Sequence, residues 1–287
     1  MNNKSIHSED SLNNQHSFLG KGKIAWEKSD AEVWAELEKK ITAQPAGKTV
    51  QFRTQTTRWS VAAVFLVLVG LAGIAAFYSK TIETLPGEHL TALLPDGSKV
   101  ELNAGSTLTY YPLRWKLQRK LDFEGEGFFN VQKGKKFLVQ SSNGTTQVLG
   151  TSFNIYARDE NYRVTCLTGK VDVSTLTGEH IVLLPNNHAE LEEGKLVVKK
   201  MFNPESTIGW TNNQFFFAGR PLKEVIDEIE RQYAVTIELD PQLNNRNFGS
   251  NFSKKPNVEE VLGLVCKPMN LKFVKQSENV YRIVDKS

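Results

Sequence analysis

Between Arg58 and Lys80 the chain runs for 21 residues, WSVAAVFLVLVGLAGIAAFYS, without one charged side chain. Twenty helical residues cover about 30 Å, the thickness of a bilayer's hydrocarbon core. Ten of the 21 are Val, Leu, Ile or Phe. Each favours insertion by about 0.3–0.6 kcal/mol, and no charge opposes them. Trp59 and Tyr78 stand at the two ends, where amphipathic rings suit the membrane interface. A buried core helix would be shorter or would carry a polar face, so residues 59–79 read as a transmembrane helix. A signal peptide places its apolar region behind a short charged start, whereas 58 residues precede this one. Gly70 and Gly73 lack the GxxxG spacing, so no helix-pairing face is assigned.

The flanks orient the span. Lys39, Lys40, Lys48, Arg53 and Arg58 lie in the twenty residues before it, and Lys80 alone in the twenty after Tyr78. Positive charge stays inside, which makes residues 1–58 cytoplasmic and places residues 80–287 across the membrane. Charge is otherwise balanced: 35 Lys plus Arg face 32 Asp plus Glu, a net +3. Neither side is a polyanion reader, and no direct contact with nucleic acid is expected. Two cysteines are too few for a disulfide-dense scaffold or a Cys-rich zinc site.

Residues 1–24 are rich in Asn, Ser, His and Lys without an apolar period, and read as loosely held. An amphipathic helix is expected near 30–42. Ser29 and Glu32 have capping-box spacing, Val33, Trp34, Leu37 and Ile41 share one stripe, and Lys39 and Lys40 suit the C-terminal end. Residues 42–58, with Pro45, Gly47 and five Thr, read as a linker. A helix of about 14 residues is marginal alone in water. It lies frayed on the membrane, or forms by propensity with no role, or docks in another protein's groove.

Beyond the span the chain has two textures. From 84 to 200 it is a run of short alternating segments such as Lys99–Leu102, Ser152–Tyr156 and Lys170–Val173. They are broken by Pro95-Asp96-Gly97, Asn143-Gly144 and Pro185-Asn186-Asn187. This is an all-β domain, solenoid- or sandwich-like, with no helix. A connector, 201–213, leads to a small α+β domain over 214–287. Pro221 reads as the first helical residue, and Leu222, Val225, Ile226, Ile229 and Tyr233 form one face. Val235, Ile237 and Leu239 then alternate as a strand. Adding 36 to each helix position gives Val258, Val261, Leu262, Val265 and Met269, capped by Asn257, and the next strand holds Leu271 and Phe273. The segment reads as one helix–strand unit used twice. Further strands at Gln214–Ala218, Asn247–Ser253 and Asn279–Val284 complete a sheet with two helices on one face.

No catalytic, cofactor-binding or metal residues are expected from the sequence motifs. His7, His16, His89, His180 and His188 form no HExxH; His180 and His188 lie near a turn and could meet across a hairpin, but nothing adjacent completes a metal site. Ala46-Gly47-Lys48-Thr49 lacks the leading P-loop glycine, and Gly125-Glu126-Gly127 precedes a strand rather than a helix. Asp122, Glu124 and Glu126 alternate with apolar residues and are expected on a wet strand face. Cys166 and Cys266 read as two separate buried thiols.

In series, several segments resemble the FecR family of inner-membrane anti-sigma regulators. They are Leu94-Pro95-Asp96-Gly97-Ser98, Leu102-Asn103-Ala104-Gly105-Ser106, Phe123 to Val131, Val148 to Asn154, Leu167 to Val171, and Trp210 through Pro221-Leu222. Gly127 stands where the family usually has Ala. The C-terminal domain is similar to the short secretin and TonB N-terminal module. The resemblance covers roughly 84–285. It implies a single-pass protein of the bacterial inner membrane, N-terminus cytoplasmic and C-terminus periplasmic, with no catalysis of its own and no cofactor. Its implied partners are a TonB-dependent outer-membrane transporter's signalling domain outside and an extracytoplasmic-function sigma factor inside, with intramembrane proteolysis of the span. The cytoplasmic helical part is shorter than is common in the family. Val33, Trp34, Leu37 and Ile41 are the sigma-factor contact candidates; no transporter contacts are assigned. The alternative is a membrane-anchored periplasmic adaptor that binds an envelope protein or glycan without sigma-factor output.

Overall fold

The computed structural model describes residues 28–43 and 54–286. The loosely held start with Trp26, His7 and His16, most of the linker, and the Ala46–Thr49 fragment lie outside them.

Helix α1 (Asp30–Thr42) starts at a complete capping box. The Ser29 N–H donates to Glu32 Oε2 at 2.9 Å, and the Glu32 N–H points back to Ser29 Oγ at 3.4 Å. Lys39 and Lys40 sit in the last turn, where they face the negative end of the helix dipole. Helix α2 (Thr54–Phe77) contains the apolar run; Trp59–Phe77 is long and apolar enough to cross a membrane. It ends one residue before Tyr78, short of the expected boundary at 79.

The strands of the β domain are β1 (Lys80–Glu83), β2 (Leu90–Leu93), β3 (Lys99–Leu102), β4 (Thr107–Tyr110), β5 (Arg119–Asn130), β6 (Phe137–Ser141) and β7 (Gly144–Val148). They continue as β8 (Ser152–Arg158), β9 (Asn161–Cys166), β10 (Val171–Thr175), β11 (His180–Leu183), β12 (Asn187–Glu192) and β13 (Lys195–Lys200). A 3₁₀ turn at Pro112–Arg114 is the one helical element described among them. Pairing makes two wings that share one strand. One wing runs β1-β4-β5-β6-β7-β10-β11 and the other β2-β3-β5-β8-β9-β12-β13. All neighbours are antiparallel except β5 and β6. Both wings feed a single apolar core, in which Phe123, Phe129 and Phe153 pack ring against ring. Burying each such side chain contributes about 1.5–3 kcal/mol.

The bend that lets β5 serve both wings lies at Gly125. Residues Leu121–Glu124 pair with β4, and Gly125–Asn130 with β8. Gly125 has φ 118°, and an added Cβ would lie 2.4 Å from Ser106 Oγ. That hydroxyl occupies the space for a reason: it accepts from the Glu126 N–H at 3.0 Å and donates to the Glu126 carbonyl at 3.1 Å.

After a 3₁₀ segment (Pro204–Asn212), the C-terminal module holds β14 (Gln214–Pro221), α3 (Leu222–Tyr233), β15 (Thr236–Leu239), β16 (Asn247–Ser253), α4 (Val258–Cys266), β17 (Leu271–Ser277) and β18 (Val280–Asp285). Pro221 is the helix cap and the last strand residue, not the first helical one. It offers no N–H to extend the β14 ladder, and its φ of −52° leads into the helix. Helix α4 stops at Cys266, because Pro268 interrupts the run to Met269 and the chain tightens into a 3₁₀ turn. The expected single sheet is two: β14 pairs with β16, while β18 lies between β15, in parallel, and β17. Leu222, Val225, Ile226 and Ile229 meet Val258, Val261, Leu262 and Val265 in a second apolar core, separate from the first.

Gly125→Ala should lower the stability of the β domain by about 1–3 kcal/mol, since the new methyl meets Ser106 and the backbone is left strained. Faster amide exchange across β5 in the full chain checks this.

Candidate functional site

Two features stand out, and they are far apart in sequence. The first is the stripe on α1. Trp34 is 71% and Ile41 68% exposed; Val33 and Leu37 are exposed beside them. No side chain of α1 is buried by another described residue. The opposite face is held by exposed ion pairs, Lys28 to Glu36 at 2.6 Å and the longer Lys40 to Glu36 at 3.9 Å. Hydrogen bonds from the Ser29 backbone and hydroxyl hold the Glu32 carboxyl below its usual range.

The second is an ionic joint between the two apolar cores. Arg163, on β9, lies over the Tyr156 ring at 3.9 Å and is buried. Its Nη1 reaches Glu224 Oε2 of α3 at 2.7 Å and Glu190 Oε1 of β12 at 3.6 Å. Arg220 of β14 also donates to Glu190 Oε1, and Lys199 stands 3.7 Å from the other oxygen. Burial alone would raise the Glu190 carboxyl. The guanidiniums of Arg220 and Arg163 outweigh it and hold the group below its ordinary value. His188 shares a 2.8 Å hydrogen bond with the Thr165 hydroxyl, and burial pushes its pKa down to about 4.

A second cluster continues the joint along α3. Asn103 donates to Glu126 Oε2 at 2.8 Å and to Glu228 Oε1 at 3.2 Å, so one β-domain amide joins two carboxylates. Gln232 donates to Asn103 Oδ1 at 2.6 Å, and Arg231 holds Glu228 Oε2 at 2.9 Å. Asn154 adds a bond to Glu126 Oε1 at 3.0 Å. The two carboxyls are driven apart. Burial, then the charge of Glu228, raises Glu126; burial also raises Glu228, but Arg231 and Arg158 outweigh it and lower the group overall. A cavity of about 400 Å³ opens beside the joint, walled by Tyr156, His188, Trp210, Phe216 and Arg220.

Glu124 is exposed and Asp122 half-buried, as expected of a wet strand face, so the correction falls on Glu126 alone. Asp122 receives the Tyr111 hydroxyl at 3.1 Å, Glu124 receives the Ser142 N–H at 2.6 Å, and Glu126 is covered by α3. His180 and His188 do not meet: His180 pairs with Asp172 at 2.7 Å, and His188 turns into the joint. Cys166 and Cys266 are free, buried thiols, each pushed by burial up to about 11. Among the described residues no group of three or more His, Cys, Asp or Glu is placed to hold a metal ion.

The joint itself was missed by sequence reading. Its signal is present: Glu224, Glu228, Arg231 and Gln232 fall at i, i+4, i+7 and i+8, a polar stripe opposite the apolar one.

The family model for FecR protein matches residues 80–172, and the model for the FecR C-terminal region matches 214–283. Among solved structures, two crystal structures of a candidate anti-sigma factor from Parabacteroides distasonis ATCC 8503 align with TM-scores of 0.68. One is 29% identical and covers 73% of this chain; the other is 30% identical and covers 72%. Each is covered over 100% of its own length. No curated protein matches the chain.

Arg163→Ala leaves Glu190 and Glu224 without their shared partner, a loss of about 3–5 kcal/mol for a buried pair. Amides of α3 should then exchange faster, with β5 unchanged. The folded pKa of His188 lies below its ordinary 6.5, so its contribution is complete above 6.5 and is lost as pH falls toward 4. Glu190 attracts the proton while Arg220, Arg163 and Lys199 repel it. The thermal midpoint of the full chain should fall across that window, and less steeply in His188→Gln.

Proposed function

The chain belongs to the FecR family, and from that premise we propose that it is a single-pass regulator of the anti-sigma type. Residues 1–58 lie in the cytoplasm, α2 crosses the bacterial inner membrane, and the β domain and C-terminal module lie in the periplasm. The observation that carries this reading is an uncovered apolar stripe on α1 on one side of the span, with both family matches on the other.

In this reading the C-terminal module, a helix–strand unit used twice, receives the signalling domain of a TonB-dependent outer-membrane transporter. Its two small sheets leave strand edges for such pairing. The message crosses through α2, where intramembrane proteolysis completes it, to an extracytoplasmic-function sigma factor. That factor seats Val33, Trp34, Leu37 and Ile41 in a groove of its own. A four-residue apolar row at i, i+1, i+4 and i+8 suits helix-in-groove docking. The chain contributes no catalysis.

Trp34→Asp with Leu37→Asp should abolish capture of the sigma factor by the full chain in a pull-down. Each change places a charge where an apolar anchor is worth about 2 kcal/mol or more. Undiminished capture would overturn the contact assignment. Protease added to spheroplasts should degrade residues 80–287 and spare the first fifty; the reverse pattern would invert the topology.

A further inference from the structure

We propose that the end of the β domain beside α2 is a docking site for anionic phospholipid headgroups, with Leu113 and Leu117 set into the lipid–water interface. This rests on the reading of α2 as a membrane span. Only Tyr78 and Ser79 separate Phe77, the last residue of α2, from Lys80, the first of β1. The register places Lys80 opposite Tyr110, so the chain leaving β4 emerges beside the end of the apolar helix. There Arg114 Nη1 donates to the Ala76 carbonyl at 3.2 Å, on the last turn of α2.

The segment at that point is amphipathic in an unusual sense. Trp115 is buried, edge-on to Tyr110 and Phe137, and anchors the turn. Its neighbours Leu113 and Leu117 are 57% and 85% exposed. Because β5 and β6 start side by side in parallel, with Arg119 opposite Phe137, the loop before β6 arrives at the same end. Buried Arg119 ties it there by donating to the carbonyls of Gln132 and Lys135, while its charge is met by Asp96 at 2.8 Å. The loop carries Lys133, Lys135 and Lys136, all exposed.

With Lys80, Arg114 and Lys116 this gathers six cations, none of them ion-paired with another described residue. The nearby acids are engaged, Asp96 by Arg119 and Asp122 by the Tyr111 hydroxyl. Exposed leucines ringed by unpaired cations, held at the mouth of a span, fit a negatively charged membrane surface. The sequence flank hides this, because five of the six come from residues 114–136 and return only through the fold.

The test is a nitroxide on Leu117→Cys in the full chain, reconstituted in nanodiscs; the native thiols are buried. In phosphatidylglycerol–phosphatidylcholine discs the label should collide with dissolved oxygen and be shielded from a nickel chelate. A label on Leu176→Cys, exposed in the β10–β11 hairpin at the far end of the wing, should show the reverse. Replacing Lys116, Lys133, Lys135 and Lys136 by Gln should weaken docking by about five-fold per charge, and shielding should also drop in phosphatidylcholine alone. Equal chelate access at 117 and 176 overturns the site, and equal shielding in both lipids overturns the anionic headgroup. A label on Val69→Cys, in α2, separates the premises. If it lacks oxygen contact the span reading fails; if it has contact and 117 does not, the docking site alone fails.

Discussion

The joint between the β domain and the C-terminal module centres on one guanidinium. Arg163 belongs to the β domain by sequence and pairing, yet its partners are Glu190 of its own wing and Glu224 of the C-terminal module. The two apolar cores are each closed without the other, so no continuous hydrophobic layer fixes their mutual position. Geometry among charges does it instead. Buried ion pairs contribute little net stability against an apolar alternative, but removal of one member costs heavily. Such an interface specifies an orientation more than it strengthens a fold, and inter-domain surfaces of this polarity favour relative motion more than apolar ones do.

The Asn103 cluster shows how finely that orientation is set. Glu126 and Glu228 approach the same amide from different domains. Two ionised carboxylates at such a site would repel in a low dielectric. Arg231 and Arg158 stabilise the charge on Glu228 and lower its pKa, while burial and the charge of Glu228 raise that of Glu126. The two carboxyls are thereby shifted in opposite directions, and Gln232 adds hydrogen bonds from the α3 side.

What could be read from the sequence was what lies along one element. The uncharged run of α2, the Ser29–Glu32 box and the apolar faces of α3 and α4 are signals within a single helix, and each of these helices stands in the structure. Glu126 could not be placed that way. Strand alternation separates its face from Phe123 and Phe129, but only the packing of α3 determines that this face is covered. Glu224, Glu228, Arg231 and Gln232 have helical spacing, and a polar stripe on a helix reads as solvated until a second domain is set against it. Sheet membership failed for the same reason: Phe215 and Tyr281 both look like strand residues, and nothing local records that β14 and β18 belong to different sheets.

The sharing of β5 between wings has a consequence for how the domain assembles. Along the chain the strands alternate between wings, with β1 in one, β2 and β3 in the other, β4 back in the first, and β12 and β13 closing the second. Neither wing is complete until nearly all of the domain is available. Pairings such as β5 with β8, and β12 with β9, join residues far apart in sequence, which raises contact order and slows assembly. As the polypeptide emerges from the ribosome its leading strands have no finished partner sheet, so a chain interrupted before Lys200 would present open ladders to any passing chaperone or protease.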